Sequence, residues 1–345
     1  MRIGLVASVG EMIDSFFVEI IEEWRNAGNT VLTATGPDLP VKVQDGVTLI
    51  PGITRRPSTK NFQAKSQLRG WVAQNNIDIV VTNAATGSLL VRAAGLTVPV
   101  VYFCHGLHWQ SHTKLSAIPW VTAERWALRR TAGILTLNSD DDQWFRTHTT
   151  KPVHRLRQGI GLDLTNYEQT PMPAHDNGIL KLVWIGELTP RKRPVDAVRT
   201  IANLHTMGID AELDLLGAGD LSPKVAAVID QLGLNDKVRL QGLQPVTEYF
   251  AKSHALIHTA TWEGLPRVGL ESVAIGRAML AYDTKGTRDI PGVILSPQES
   301  PDSLAGTIAT WVNNGLQPPA VPREHLSYQS AAKQILEFLD HTESA

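Results

Sequence analysis

Residues 254–282 read HALIHTATWEGLPRVGLESVAIGRAMLAY, and the order of residue types in this stretch decides the fold class. An apolar run of strand length, 254–259, passes into a loop. Pro266 then stands where a helix can start, since the N–H that proline lacks would be unpaired there anyway. Helix-length sequence through Glu271 follows, and 278–282 is apolar again. Strand, helix, strand is a βαβ unit, the building block of a parallel sheet. Working outward, the same alternation predicts strands near 2–7, 30–35, 46–50, 77–82, 98–103, 133–138 and 153–158. A second series falls near 180–186, 211–217, 237–241, 254–259, 278–282 and 292–295, and a helix is expected from about Asp14 to Ala27, closed by Gly28. The chain is therefore read as α/β, with a Rossmann-like N-terminal domain over 1–165 and a second over 179–325. Residues 166–178, holding two prolines, Asn-Gly and no apolar periodicity, read as a linker. Residues 326–345 read as an amphipathic helix that packs back on the first domain.

The composition agrees with globular domains. The chain has 345 residues, 43% of them hydrophobic and 19% charged, which excludes a disordered or disulfide-stapled protein. A net charge of −2 argues against whole-surface binding to nucleic acid, so an anionic partner must meet a local patch. Such a patch is offered by 46–77, which holds Arg55, Arg56, Lys60, Lys65 and Arg69 and no acidic residue. The single cysteine, Cys104, lies in an apolar run and reads as a buried thiol. No leader-like or membrane-spanning run is found, and a cytoplasmic setting is expected.

Open parallel sheets bind ligands at the carboxyl ends of their strands, so the turns after predicted strands carry the candidate chemistry. After the strand ending at Ile185, Gly186 is followed by Arg191, Lys192 and Arg193, a cationic turn suited to a diphosphate. After Thr259 come Glu263, Gly264, Leu265, Pro266, Arg267, Val268, Gly269 and Glu271, where a loop carboxylate, a helix start and a helical carboxylate follow one another. Eight residues of continuous helix would span about 12 Å, more than the roughly 5 to 9.5 Å of a hydrolytic carboxylate pair. The two glutamates therefore read as acceptors for separate parts of one ligand, such as a sugar nucleotide. His105-Gly106 follows the strand 98–103. Gly87-Ser88 and Gly217-Ala218-Gly219-Asp220 read as further glycine turns at sheet ends. No His, Cys or Asp set stands at metal-ligand spacing.

Taken together these residues resemble the retaining GT-B glycosyltransferases of the large GT4 family. Glu263 to Glu271 is similar to that family's E-x7-E signature. Similarity extends to the His105-Gly106 loop, Asn138-Ser139-x-x-Asp142, Gly159 to Asp163, Lys192, and Gly286-Thr287-Arg288-Asp289-Ile290. Within the family, the branch that builds bacterial capsule, exopolysaccharide and lipid-linked glycans is the most similar. The resemblance implies two Rossmann-like domains facing across a central cleft, a nucleotide sugar as donor (a UDP-sugar), and a lipid-linked or saccharide acceptor held by the N-terminal domain. It implies that Glu271 holds the ribose hydroxyls, Glu263 the donor sugar and Lys192 the diphosphate, with His105 beside the reacting sugar. It also implies no metal and no other cofactor. Glu187 stands where relatives commonly carry arginine, so Arg191 or Arg193 would have to replace that cation. The basic residues of 46–77, with Trp120 and Trp126, are expected to meet either the acceptor or the inner face of the cell membrane. Two other classes share these features: a GT-B sugar-nucleotide epimerase, and a catalytically silent nucleotide-sugar binding protein.

Overall fold

The computed structural model describes residues 1–37, 46–54, 58–83, 85–107, 109, 114–175 and 178–343. The chain divides into two compact units, one of residues 1–161 with 327–345 and one of 162–326.

In the first unit the strands are β1 (Arg2–Ala7), β2 (Thr30–Thr35), β3 (Thr48–Leu49), β4 (Ile79–Asn83), β5 (Val100–Phe103), β6 (Gly133–Thr136) and β7 (Val153–Arg155). The helices between them are α1 (Glu11–Phe16), α2 (Val18–Asn26), α3 (Asn61–Gln74), α4 (Ala85–Ala94), α5 (Lys114–Leu128) and α6 (Ser139–His148). All the pairings are parallel, in the order β3-β2-β1-β4-β5-β6-β7. β4, β5 and β6 are buried along their whole length, as expected of strands covered on both faces.

The second unit repeats the plan with β8 (Leu180–Ile185), α7 (Pro194–Thr206), β9 (Ala211–Leu216), α8 (Ser222–Gln231), β10 (Val238–Gly242), α9 (Val246–Lys252), β11 (Ala255–His258), α10 (Arg267–Ile275), β12 (Ala278–Tyr282), β13 (Ile294–Ser296) and α11 (Pro301–Asn313). Its sheet is also parallel, ordered β10-β9-β8-β11-β12-β13. In each sheet the strand order reverses once, between β1 and β4 and between β8 and β11, and those switch points are where such folds open a crevice for ligands.

Three expectations change. The helix anticipated over 14–27 is two helices that meet at Phe17, which is fully buried and holds φ −125° between them. Gly87-Ser88 is not a turn but part of α4, where a Cβ on residue 87 would come within 3.0 Å of Ser8. Residues 166–178 do not behave as a linker, because much of the stretch is bonded into the second unit. Arg277, fully buried, donates to the carbonyls of Thr170 and Pro171 at 2.9 and 2.8 Å, and Met172 packs on the core. Polar composition concealed this, since the anchoring donors lie about a hundred residues further along the chain. The C-terminal helix α12 (Tyr328–Glu343) packs on α2 in the first unit. There Trp24 donates its indole N–H to the Ala332 carbonyl at 3.1 Å, and Phe338 lies over Gly133, where a Cβ would clash at 2.8 Å.

Candidate active site

The site is assembled at the β8/β11 switch point by two turns that the backbone ties together. The turn after β8 carries Arg191 and Lys192, and the loop after β11 carries Glu263. Thr259 donates its hydroxyl to the Lys192 and Arg193 carbonyls at 2.9 and 3.0 Å and accepts from the Trp184 indole at 3.0 Å. The Thr261 N–H donates to the Arg191 carbonyl at 2.9 Å. Glu263 is fixed from its other side, its N–H donating to the Lys285 carbonyl at 2.9 Å. Gly286 makes that approach possible: at φ +75°, a Cβ there would lie 2.4 Å from the Glu263 carbonyl oxygen. The turn after β9 is built the same way, since a Cβ on Gly217 (φ +133°) would overlap the Gly186 carbonyl at 1.9 Å.

The result is a compact charged group. The Glu263 carboxylate receives Lys192 Nζ at 2.5 Å on one oxygen and Arg191 at 2.7 Å on the other, and Arg191 also lies over the Trp262 ring. Glu263 and Lys192 are largely shielded from solvent. Burial alone would raise the Glu263 pKa, but His258, Lys192 and Arg191 outweigh it and hold the carboxyl well below the usual range, so it is ionised. Behind it His258, buried at the end of β11, has Nε2 3.6 Å from the carboxylate, and burial lowers its own pKa.

Glu271 occupies the second turn of α10, also buried, and accepts a hydrogen bond from the Tyr167 hydroxyl at 2.9 Å, with Arg267 Nε at 3.3 Å. Burial outweighs these partners and raises its pKa, and burial beside Glu271 pushes the Tyr167 hydroxyl up to about 12. Pro266 precedes α10 and accepts from the Gly269 N–H at 2.9 Å, and the start of the helix carries its positive end. The switch point thus presents, in sequence order, two cations, a loop carboxylate, a helix N-terminus and a helical carboxylate. That set can hold an anionic group with hydroxylated groups beside it.

Not every residue expected in the site faces it. Arg193 adopts a left-handed conformation (φ 51°), pairs with Asp196 at 2.5 Å and Glu299 at 3.2 Å, and lies over Tyr282, so Arg191 is the arginine placed to stand in where Glu187 departs from the usual residue. The side chains of Leu265 and Val268 pack on the hydrophobic core. Gly269 is required by packing, a Cβ there meeting Met279 at 2.6 Å, and its N–H donates to the Pro266 carbonyl at 2.9 Å, so the side chains of Leu265 and Val268 face the core and not a ligand. Gly186 lies beside the Lys192 stem. Gly264 backs onto Gly286.

His105 lies in the first unit, after β5. Its ring stacks on Phe103 at 4.6 Å and meets Phe16 and Phe17 at 5.7 and 6.1 Å. Desolvation lowers its pKa to about 4, and its Nε2 is enclosed with no hydrogen-bond partner among the described residues. The following loop is held by Asp141, which accepts from the Leu107 N–H at 3.2 Å, while Asn138 caps α6 by accepting from the Asp141 N–H. Asp142, the acid singled out from sequence, pairs with Arg146 instead. Of the basic stretch, Arg55 and Arg56 lie outside the described residues, Lys60 is exposed, Lys65 is partly buried, and Arg69 donates to the Ala94 carbonyl. Sequence reasoning missed His258 and Tyr167. The first was readable as a histidine at the strand end beside Glu263, but no local signal marked Tyr167.

Two family models match the chain: Glycosyl transferases group 1 over residues 169–333, and Glycosyl transferase 4-like domain over 13–157. A 2-deoxystreptamine glucosyltransferase from Streptomyces kanamyceticus is 25% identical over 335 residues, covering 84% of this chain and 85% of that protein. An N-acetylgalactosamine-N,N'-diacetylbacillosaminyl-diphospho-undecaprenol 4-alpha-N-acetylgalactosaminyltransferase from Campylobacter jejuni is 33% identical over 110 residues, 31% of this chain. That match spans 29% of the Campylobacter enzyme, and a second local match, 32% identical over 108 residues, spans 27% of an uncharacterised glycosyltransferase from Methanocaldococcus jannaschii. Among solved structures, Anabaena HepE in complex with UDP superposes with a TM-score of 0.80 at 16% identity, covering 99% of this chain and all of that one. Its fold, and that of this chain, is GT-B.

Proposed function

This chain belongs to the group 1 glycosyl transferases with a glycosyl transferase 4-like N-terminal half, and from that premise we propose that it moves a sugar from UDP to a lipid-linked or saccharide acceptor, with retention of configuration, in bacterial glycan biosynthesis. The observation that carries the reading is the convergence of Arg191 and Lys192 on Glu263 at the β8/β11 switch point, with Glu271 further along α10. Departure of the nucleoside diphosphate develops negative charge, and preorganised cations stabilise it most when water is excluded. Lys192, Arg191 and the start of α10 supply that stabilisation. Glu271, oriented by Tyr167, accepts from the ribose hydroxyls, and Glu263 accepts from the donor sugar. No metal enters this scheme. The match to the Campylobacter enzyme supports the lipid-linked acceptor, and the UDP held by HepE supports the base.

The test begins with thermal shifts across nucleoside diphosphates, since a ligand of the folded state raises apparent stability. UDP should shift the melt most, and Glu271→Ala should weaken UDP binding by about 1 to 3 kcal/mol, the cost of a buried hydrogen-bond acceptor. Equal affinity in the two proteins would remove the ribose assignment. Incubation with UDP-sugar alone separates transfer from epimerisation, because only an epimerase interconverts donors without an acceptor.

A further inference from the structure

The structure brings together two stretches far apart in sequence, the basic one ending in α3 and the aromatic one forming α5. Between them, with α4 as floor, runs a groove of about 720 Å³ lined by Phe62, Leu89, Leu90, Ala93, Pro119 and Trp126. Its apolar exposure is unusual for a surface in water: Phe62 is 80% exposed and Trp126 41% in its lining, and Leu115 is 81% and Ile118 55% exposed on the same helix as Trp126. Leu115, Ile118, Thr122 and Trp126 recur at helical spacing, so they form one stripe along α5, and Trp120 lies off it. Lys65 lines the groove, and Lys60, Arg125, Arg129 and Arg130 are exposed on the same elements or their ends. Acidic residues do not balance them, since between Gly46 and Ser139 there are only Asp78 and Glu124. Glu124 is buried against Arg92, and Asp78 accepts from the Arg2 backbone N–H.

We propose that this α3–α4–α5 face docks the protein on an anionic lipid bilayer, with the α5 stripe and Phe62 entering the headgroup boundary and the cations meeting lipid phosphates. For its purpose the inference rests on the reading of a lipid-linked acceptor. An apolar stripe flanked by lysine and arginine matches an interfacial helix, in which apolar burial and attraction to anionic lipid add. No described helix is long and apolar enough to cross a membrane, so this attachment is to one leaflet. A second copy of the chain is a poorer occupant, because a symmetric contact would bring the same cations face to face.

The test is co-sedimentation of the full chain with phosphatidylcholine vesicles and with vesicles of phosphatidylcholine and phosphatidylglycerol in equal parts, at low and high salt. The intact protein should bind the anionic vesicles at low salt and leave them as salt screens the charges. Lys60→Ala/Lys65→Ala should lower the partition constant about thirtyfold, each cation near the surface contributing about 1 kcal/mol, or roughly fivefold. Ile118→Glu/Trp126→Glu should abolish binding at any salt. Lys60, Ile118 and Trp126 are exposed and Lys65 is only partly buried, so the melting temperature and the UDP-induced shift should stay as in the intact protein, which shows that the variants are folded. Absence of binding to anionic vesicles at low salt, or binding that survives both double substitutions, overturns the proposal. Vesicle binding as described in a protein that neither binds UDP nor turns over a UDP-sugar would leave the docking face standing and sink the transferase reading instead.

Discussion

Replacing Glu263 by glutamine tests the central feature of the site, a carboxylate that occupies both cations expected to serve the diphosphate. In the ligand-free protein Lys192 Nζ lies 2.5 Å from one oxygen of Glu263 and Arg191 2.7 Å from the other. A diphosphate reaching those cations must loosen at least one of these contacts. A charge-assisted hydrogen bond has a net worth of about 1.5 to 3 kcal/mol, which bounds what UDP gains when the competitor is removed. Because Arg191 is partly exposed and the phosphates replace only part of the contact, the lower end applies, about tenfold tighter UDP binding. The same substitution removes an acceptor for the donor sugar and should lower turnover. Folding stability should fall, because two neighbouring cations lose their counter-charge. Isothermal titration with UDP at pH 7 gives the affinity, and initial rates of UDP release from UDP-sugar give the turnover. UDP binding equal to or weaker than that of the intact protein would refute the competition, and with it the assignment of Arg191 and Lys192 to the diphosphate.

Two further perturbations follow from the same geometry. Lys192→Ala should cost about 100- to 1,000-fold in kcat, the range found for removing one preorganised donor to a developing anion, with a smaller effect on donor affinity. A raised KM at constant kcat would make Lys192 a ground-state binder only. His105, whose pKa falls from 6.5 to about 4 in the folded protein, should make the first unit lose stability as the pH drops from about 6.5 toward 4. There the unfolded chain takes up a proton that the aromatic cage refuses, and the full effect corresponds to roughly 3 kcal/mol. Thermal melts of His105→Phe across that range should show a shallower decline than those of the intact protein, and parallel profiles would show that the histidine is solvated.

The alternation of apolar runs with amphipathic stretches was sufficient to determine both parallel sheets from sequence, because strands buried on both faces must be apolar along their whole length and leave an unbroken local signal. β1, β2 and β12 span the residues expected of them, and the other strands differ only at their ends, where hydrogen bonding and not residue type decides the boundary. Glu263, Glu271 and Lys192 were legible for a related reason: a strand end, a proline and a short spacing are local, and the switch-point rule says where they point. What local patterning cannot carry is contact between distant segments. Tyr167 stood in apparent linker sequence, yet its hydroxyl reaches Glu271, 104 residues away. Arg191 and Arg193 are two positions apart and looked interchangeable, but a left-handed backbone at residue 193 turns its guanidinium to Asp196 and Glu299 and leaves Arg191 with Glu263. His105 was expected beside a substrate, and it is the packing of Phe16, Phe17 and Phe103 that encloses its ring. The apolar groove likewise exists only once α3 and α5 flank α4. Sequence determines which residues are apolar, charged or able to start a helix, whereas the pairing of charges and the enclosure of rings are set by packing among elements brought together only when the sheets form.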